Sequence, residues 1–367
     1  MAQTLTIIGE QLWKRREGLP ALRYAEAEIA EGEPLELAPG IFLLRLPLPF
    51  ALNHINVYLL QERDGWTLVD TGIHTPANRA LWESVFRAPW FTRHGPLRRI
   101  VVTHHHPDHV GMVGWIMEQF AVPVLMTPGE LEVAGRYADP ARDVVSERTP
   151  LWREHGLPDA VAAELLQHMP RYGTQVCALP HGVIEIDTRE PLELGGRRWV
   201  PIIGRGHSPE HLSLLSEDGA VLIGGDQVLP KITPNIAVWP GGDPNPLHSY
   251  LATLQRFEDI SASTLLLPSH KQPFYGVARR VEEIRAHHEE RLRVVLDACV
   301  RPMTGYEFLP ALFERELRNE QVGFGLGEAI AHLNFLESQG LLASSVDGAL
   351  VRRFERTGLH PAHGRNE

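Results

Sequence analysis

The sequence predicts a layered α/β protein, and three observations carry that prediction. Apolar, strand-like runs alternate with helical stretches over most of the chain. Histidine or aspartate stands at the end of each of the later strands. Four candidate metal ligands, His104, His106, Asp108 and His109, fall within six residues directly after one such run. At 367 residues the chain is long enough for two domains, or one large domain with an appendage.

Residues 1–37 are charged and mixed, with an acidic stretch from Glu26 to Glu33, and are expected to form a surface segment wrapped on the main domain. Ile41–Leu46 and Ile55–Leu60 read as strands, and Asp64-Gly65 supplies a hairpin turn into Trp66–Gly72. Asn78–Phe86 fits a helix. Arg99–Val102 reads as a buried strand, Pro107 sits where a first helical residue is tolerated, and Val110–Phe120 is apolar enough for a buried helix. The histidine cluster is thereby placed on a strand-to-helix loop at a sheet edge, where α/β proteins carry their chemistry. Asp108 at the helix start is also favoured by the helix dipole.

Val122–Met126 is a short strand, and residues 128–172 read as a helical insertion, broken at Asp139-Pro140, Thr149-Pro150 and Pro170 and placed like a lid. Strands resume at Gly182–Ile186, Leu192–Leu194 and Trp199–Ile203, which leads into Gly206-His207-Ser208-Pro209-Glu210-His211. Leu212–Leu215 and Ala220–Ile223 follow, the latter ending in Gly224-Gly225-Asp226. A loop from Pro230 to Pro246, a helix Leu247–Ile260 and a strand Thr264–Leu267 lead to Pro268-Ser269-His270 and complete a catalytic domain of residues 38–276. From Val277 a charged helix runs to Val300. Helices near Tyr306–Leu317 and Gly327–Gln339 come next, then strands Leu341–Ser344 and Leu350–Phe354 joined at Asp347-Gly348. Helix, helix, hairpin is a winged-helix layout, so residues 277–367 are expected to be a helix plus a small winged-helix-like domain.

The apolar fraction of 43% and charged fraction of 22% are ordinary for a globular protein. A net charge of −11 argues against a nucleic-acid binder working through an overall basic field. Cys177 and Cys299 lie far apart without metal-ligand spacing and are expected to be free thiols in a reducing cytoplasm. No signal peptide is evident and no run reaches the about 18 apolar residues of a spanning helix. A soluble, cytoplasmic protein without membrane partners is expected.

His104 and His106 project to one side of an extended segment, while Asp108 and His109 enter from the helix start. Imidazole and carboxylate ligate borderline metals, and four candidates in six residues are too many for one catalytic ion that needs an open position. Two divalent ions are expected, with zinc first and iron or manganese as alternatives. The later strand ends supply His207, Asp226 and His270. Asp226, following two glycines that permit a tight turn, suits a bridge between the ions. The simplest partition puts His104, His106 and His207 on one ion and Asp108, His109 and His270 on the other. His105 is expected to point the other way. His211, His54 and His248 are candidates for supporting or pocket positions. A bridging hydroxide would attack a carbonyl, with Asp108 orienting it and passing its proton to the leaving group.

The series His104-x-His106-x-Asp108-His109, then His207, Asp226 and His270, resembles the metallo-β-lactamase-fold hydrolases over about residues 38–275, and is similar to their glyoxalase II-like branch in keeping all seven ligands. The resemblance implies a four-layer αββα sandwich and adds Asp70, in Val69-Asp70-Thr71-Gly72, as a buried group near the metals. It also implies thioester hydrolysis, or more broadly a thioester, ester or lactone carbonyl as the point of attack in a small-molecule acyl substrate. Lys231 and Lys271 are candidates for binding an anionic acid or thiol carrier. Trp152 in the insertion, with Asn235 and Trp239 in the 230–246 loop, are candidates for the pocket wall.

The C-terminal unit departs from the helical glutathione-binding domain of typical glyoxalase II, so hydroxyacylglutathione is not the expected substrate. A core with a winged-helix tail is also similar to a group that includes an endoribonuclease. The alternatives are therefore a phosphodiester hydrolase acting on RNA or a nucleotide, and a non-catalytic winged-helix interaction module. Residues 301–367 hold seven arginines and no lysine against nine acidic residues, which is no basic nucleic-acid face. A tail that covers the active site or makes a homodimer contact is the expected role. True β-lactamase activity is disfavoured because a cysteine resembles the counterpart of Asp226 in the commonest subclass. An oxygen-reducing di-iron site is disfavoured because that group usually has glutamate at the place of His106.

Overall fold

Two seven-stranded sheets face each other in the computed structural model, which describes residues 16–26, 28–139, 141–179, 182–318 and 320–358. In chain order the strands are β1 (Arg23–Tyr24), β2 (Leu35–Ala38), β3 (Ile41–Pro47), β4 (His54–Glu62), β5 (Gly65–Val69), β6 (Leu97–Val101), β7 (Val124–Met126) and β8 (Ile184–Glu185). They continue with β9 (Leu192–Leu194), β10 (Arg197–Gly204), β11 (His211–Ser216), β12 (Val221–Gly225), β13 (Leu265–Pro268) and β14 (Phe274–Tyr275). The first sheet runs β2 to β8 in sequence order, and the second runs β1-β14-β13-β12-β11-β10-β9. Each sheet is antiparallel except where a helical connection intervenes, at β5-β6-β7-β8 in the first and β12-β13 in the second.

Both faces of each sheet are covered, which is why the strands read as nearly unbroken apolar runs rather than as an alternation. On β3 and β4, Ile41, Leu43, Tyr58 and Leu60 point between the sheets, where they meet Leu194, Trp199, Leu212, Leu214, Ile223 and Leu267. Leu44, Leu46, Val57 and Leu59 point outward and pack with Trp82, Val85, Val113 and Ile116 from helices Pro76–Arg87 and Val113–Phe120. Leu222 and Leu266 carry the outer face of the second sheet, against helices Pro246–Leu254 and Val277–Ala298. The result is helix, sheet, sheet, helix, the αββα sandwich expected from the sequence.

Several boundaries shift for local reasons. The β4–β5 turn is Arg63-Asp64, because Gly65 already pairs with Glu62. Helix Pro76–Arg87 starts earlier than its apolar pattern, with Thr75 as N-cap accepting from the Asn78 amide at 3.2 Å. Of the N-terminal segment, residues 1–15 and 27 lie outside the described residues. The rest is more than a surface wrap, since β1 and β2 supply an edge strand to each sheet. Strands of two and four residues are too short to show a period. Cys177 and Cys299 are free thiols, and no helix of the described residues is long and apolar enough to cross a membrane.

The insertion holds helices Pro128–Ala138, Thr149–Glu154, Asp159–His168 and Tyr172–Gln175. Trp152 is not at a pocket wall. It is 1% exposed in the core shared with Leu165, Met169 and Leu326. In the C-terminal unit the first expected helix is a 3₁₀ turn, Tyr306–Phe308, and one helical turn, Leu309–Leu312, and the second starts earlier, spanning Glu320–Ser338. A hairpin of β15 (Leu342–Val346) and β16 (Arg352–Arg356) follows. Phe354 locks that hairpin down: it is fully buried, stacks on His155 at 5.9 Å, and exchanges backbone hydrogen bonds with Met303 at 2.8 and 2.9 Å. Phe354→Ala is expected to cost about 3–5 kcal/mol in urea denaturation, as a large side chain leaves a closed core. Val346→Ala on the same hairpin, 53% exposed, is expected to stay within about 0.5 kcal/mol of wild type.

Candidate metal centre

The site lies at one end of the sandwich, where strand ends from both sheets meet. After β6 the chain bends at Thr103 and His105 and reaches His106, which has φ −62° and ψ 147° and opens the single turn Pro107–Val110. His207 follows β10, Asp226 follows β12 and His270 follows β13. The structure brings all seven candidate ligands together. His104 Nε2 lies 2.9 Å from His106 Nδ1 and 3.3 Å from His207 Nε2. His270 Nε2 lies 3.4 Å from Asp108 Oδ2 and 3.3 Å from Asp226 Oδ2. That Asp226 oxygen is also 3.6 Å from both His109 Nε2 and His207 Nε2, so one carboxylate oxygen faces donors of both groups.

These spacings suit a divalent ion. Donors at about 2.0–2.1 Å from a tetrahedral metal lie about 3.3–3.4 Å from each other. The sets His104/His106/His207, His104/His109/Asp226 and Asp108/His109/His270 each keep their donor atoms within 4.8 Å. His109 Nε2 and Asp226 Oδ1 are buried without a hydrogen-bond partner among the described residues, a costly state that a bound cation relieves.

The groups behind the donors fix which nitrogen points inward. His109 Nδ1 donates to Asp70 Oδ2 at 2.7 Å, His207 Nδ1 to the Asn235 carbonyl at 3.0 Å, and His270 Nδ1 to the His54 carbonyl at 2.9 Å. A carboxylate or carbonyl can only accept, so Nε2 is left free for a metal in each case. Asp70 also accepts from the Thr103 amide and hydroxyl, both at 2.8 Å, tying the end of β5 to the motif after β6. It does so from φ +60°, a left-handed conformation uncommon for a residue other than glycine. His211 Nε2 accepts the Asp226 amide at 2.9 Å and so holds the turn that aims Asp226. Gly225 in that turn has φ +53°, and a Cβ there would come within 2.5 Å of the His211 ring. The need for glycine is therefore a close approach as well as a turn.

Glu130 escapes sequence reasoning. Fully buried, it accepts from the His105 amide at 3.0 Å, His105 Nδ1 at 2.6 Å, Ser208 Oγ at 2.5 Å and the Glu210 amide at 2.7 Å. It thus joins the loop of His104 and His106 to the loop of His207, and engages the ring of His105, which belongs to none of the ligand groups. Burial opposes its ionisation, but His105 and these hydrogen bonds outweigh burial and hold its carboxyl at about 2. Tyr172 adds a 2.6 Å hydrogen bond to the His105 carbonyl. The insertion therefore buttresses the motif from behind through its first helix and its end. Glu130 could have been suspected only as an acid in a helix's first turn, a common solvent-facing position.

Burial pushes His104, His106 and His207 down, and for the first two the surrounding imidazoles add to the effect, so all three are neutral and ready to ligate. At His109 and His270 burial works the same way but is outweighed by carboxylates. Asp70, Asp108 and Asp226 push His109 up, and Asp226 and Asp108 push His270 up to about 10. Asp108 is held ionised below the usual carboxylate range, because His109 and His270 outweigh its burial. It is also more open than its neighbours Asp226 and His270, with its side chain 18% exposed against 9% and 2%.

The remaining candidates are less central. Lys271 is partly buried at φ +71°, with its amide donating to His54 Nε2 at 3.0 Å and its carbonyl accepting from Arg45 and Asn56, both at 2.9 Å. Lys231 is exposed and its ammonium lies 5.0 Å from the Tyr24 ring centre. Asn235 serves through its backbone carbonyl. His248 packs its ring near Phe335, at 6.3 Å.

Comparison with known proteins agrees with this geometry. Residues 51–270 match the family described as the Metallo-beta-lactamase superfamily, and residues 292–357 match its Metallo-beta-lactamase-like, C-terminal domain. The chain is 27% identical over 327 residues to the probable metallo-hydrolase YqjP of Bacillus subtilis, covering 85% of this chain and 96% of that protein. Among crystal structures, a beta-lactamase domain protein from Burkholderia ambifaria is 40% identical with a TM-score of 0.83, covering 91% of this chain and 98% of the other. A metallo-beta-lactamase family protein from Thermus thermophilus is 29% identical with a TM-score of 0.74, covering 88% of this chain and all of the other, 100%. With a matching fold, a convergent set of histidines and aspartates suited to a divalent metal, and relatives of this kind, the chain belongs to the metallo-beta-lactamase superfamily and is a metallo-hydrolase of that group.

Proposed function

We propose that the chain is a dinuclear hydrolase, with zinc as the first candidate metal, acting on the carbonyl of a thioester, ester or lactone in a small acyl substrate. The observation that carries the two-ion reading is the position of Asp226 Oδ2, 3.3–3.6 Å from imidazoles of both donor groups. In this reading His104, His106 and His207 would hold one ion and Asp108, His109 and His270 the other, with Asp226 within reach of both sets. When bound, such a pair supplies an acidified water as nucleophile and a Lewis acid for the carbonyl oxygen.

The chain's own groups supply the rest. Asp108, ionised and partly exposed, orients the attacking water and accepts its proton, which it can then deliver to an alkoxide leaving group. A thiolate leaves without that delivery. Asp70 keeps His109 aimed inward, and Glu130 keeps the two histidine loops at a fixed separation. Lys271, directly after His270, is the candidate to meet an anionic part of the substrate. An acyl substrate is favoured over RNA because four of the seven C-terminal arginines are engaged: Arg301 and Arg353 with Glu307, Arg318 with Glu316, and Arg352 with Glu154. The C-terminal unit, read as winged-helix-like, then serves to complete the site rather than to bind a nucleic acid.

Asp108→Ala is expected to lower turnover of the preferred acyl substrate by about 10²–10⁴-fold while leaving the circular dichroism spectrum unchanged. Retained turnover would remove Asp108 from the mechanism. The substrate class is tested with a panel of acyl-thioesters, esters and lactones beside bis-p-nitrophenyl phosphate, and hydrolysis of the phosphodiester alone would overturn the acyl reading. Chelation is expected to abolish activity and zinc, manganese or iron to restore it. A protein that takes up none of these ions would refute the metal centre. Because His270 keeps its proton up to about pH 10 in the metal-free protein, metal uptake must expel it. Zinc affinity is therefore expected to rise with pH by about tenfold per unit for each proton displaced. Isothermal titration in buffers of different ionisation heat counts those protons, and a proton-neutral uptake would contradict the assignment.

A further inference from the structure

Among the described residues, the outward nitrogen of His207, Nδ1, has one partner, the backbone carbonyl of Asn235, in a stretch with no regular secondary structure. A carbonyl in such a loop is only as well placed as the loop itself, and two C-terminal helices hold this loop at four points. From helix Val277–Ala298, Arg280 donates to the carbonyls of Leu229 at 2.6 Å and Ile232 at 3.0 Å. From helix Glu320–Ser338, the Gly327 carbonyl accepts the Val238 amide at 3.0 Å, and Glu328 Oε2 accepts the Asn235 side-chain amide at 3.4 Å. The loop lies so close to this helix that a Cβ on Gly327 would meet Ala237 Cβ at 2.9 Å and the Val238 carbonyl at 3.2 Å. Glu328 is itself braced: Arg291 donates to its Oε1 at 3.0 Å, and His332 donates to its backbone carbonyl at 2.8 Å.

We propose that Glu328 is a positioning residue for the metal centre, acting through Asn235 on His207, so that metal affinity depends on a helix far along the chain from every ligand. The inference rests on His207 being a metal ligand. Groups that orient a ligand's imidazole typically account for 10–100-fold in affinity, and the path here is continuous. The Glu328 carboxylate restrains the Asn235 side chain, the Asn235 carbonyl accepts from His207 Nδ1, and His207 Nε2 then faces His104 Nε2 at 3.3 Å. The C-terminal unit so becomes part of the site without presenting any donor to it.

The test is zinc binding by the full-length, metal-stripped protein, in competition with a chromophoric chelator, beside thermal unfolding of the same samples. Asn235→Ala and Glu328→Ala are each expected to weaken zinc binding by about tenfold or more, and Glu328→Gln, which keeps an oxygen for the Asn235 amide, to recover most of the loss. Leu333→Ala, a fully buried position on the same helix, is expected to lower Tm and leave zinc affinity unchanged. Wild-type affinity in both alanine variants would overturn the proposal while leaving the metal centre intact. So would a loss of affinity that merely follows Tm across all the variants, Leu333→Ala included. Should Glu328→Ala fail to fold, Asn235→Ala, on the loop, decides the matter. A wild-type protein that binds no zinc overturns the metal-centre reading and this proposal together.

Discussion

Five imidazoles and two carboxylates turned toward one another are an unfavourable thing for a protein to bury without a cation, and the surrounding structure is arranged to hold them there. Each inward-facing nitrogen of His109, His207 and His270 exists because the opposite nitrogen is spoken for by a carboxylate or a carbonyl. Asp70 and Glu130 are the two carboxyl groups on which this depends. The first joins the ends of adjacent strands, and the second joins two loops that come from different sheets. The layered fold supplies the rigidity, since strand ends in a twice-covered sheet have little freedom to relax away from the crowding.

What could be read from the chain follows how local each signal is. The motif from His104 to His109 is legible because its ligands are close together and directly follow a buried strand. His207, Asp226 and His270 are legible because each ends an apolar run, and the sandwich brings those ends together. Glu130 is not, because its partners are a histidine 25 residues away and a loop 78 to 80 residues away, separations that leave no pattern. Trp152 is misleading for the opposite reason. A tryptophan among charged helices suggests a binding surface, whereas here it fills the core between the insertion and the C-terminal helix.

The C-terminal helix shows the same limit. Gly323, Gly325 and Gly327 hide its beginning, because glycine is a poor helix former and reads as loop. In the folded protein Gly327 is what allows the 230–246 loop to lie against the helix. The insertion, the 230–246 loop and the C-terminal helix are thereby packed together: Arg148 of the insertion lies 4.3 Å from the ring centre of Trp239, and Trp239 meets Phe324 at 5.5 Å.

The edge strands β1 and β2 have a bearing on how the molecule is made. Arg23 pairs with Tyr275, so β1 has no partner while most of the chain is still being synthesised. The first sheet needs only residues 35 to 185 and can assemble as they emerge from the ribosome. The second sheet cannot be complete until Tyr275 has been made, when β14 pairs with a strand synthesised before every other strand of that sheet. His270 arrives in that same late stretch, so the cluster gains its last ligand only as the sandwich closes, and a metal ion can be held by the full set only after nearly all of the catalytic core has been translated.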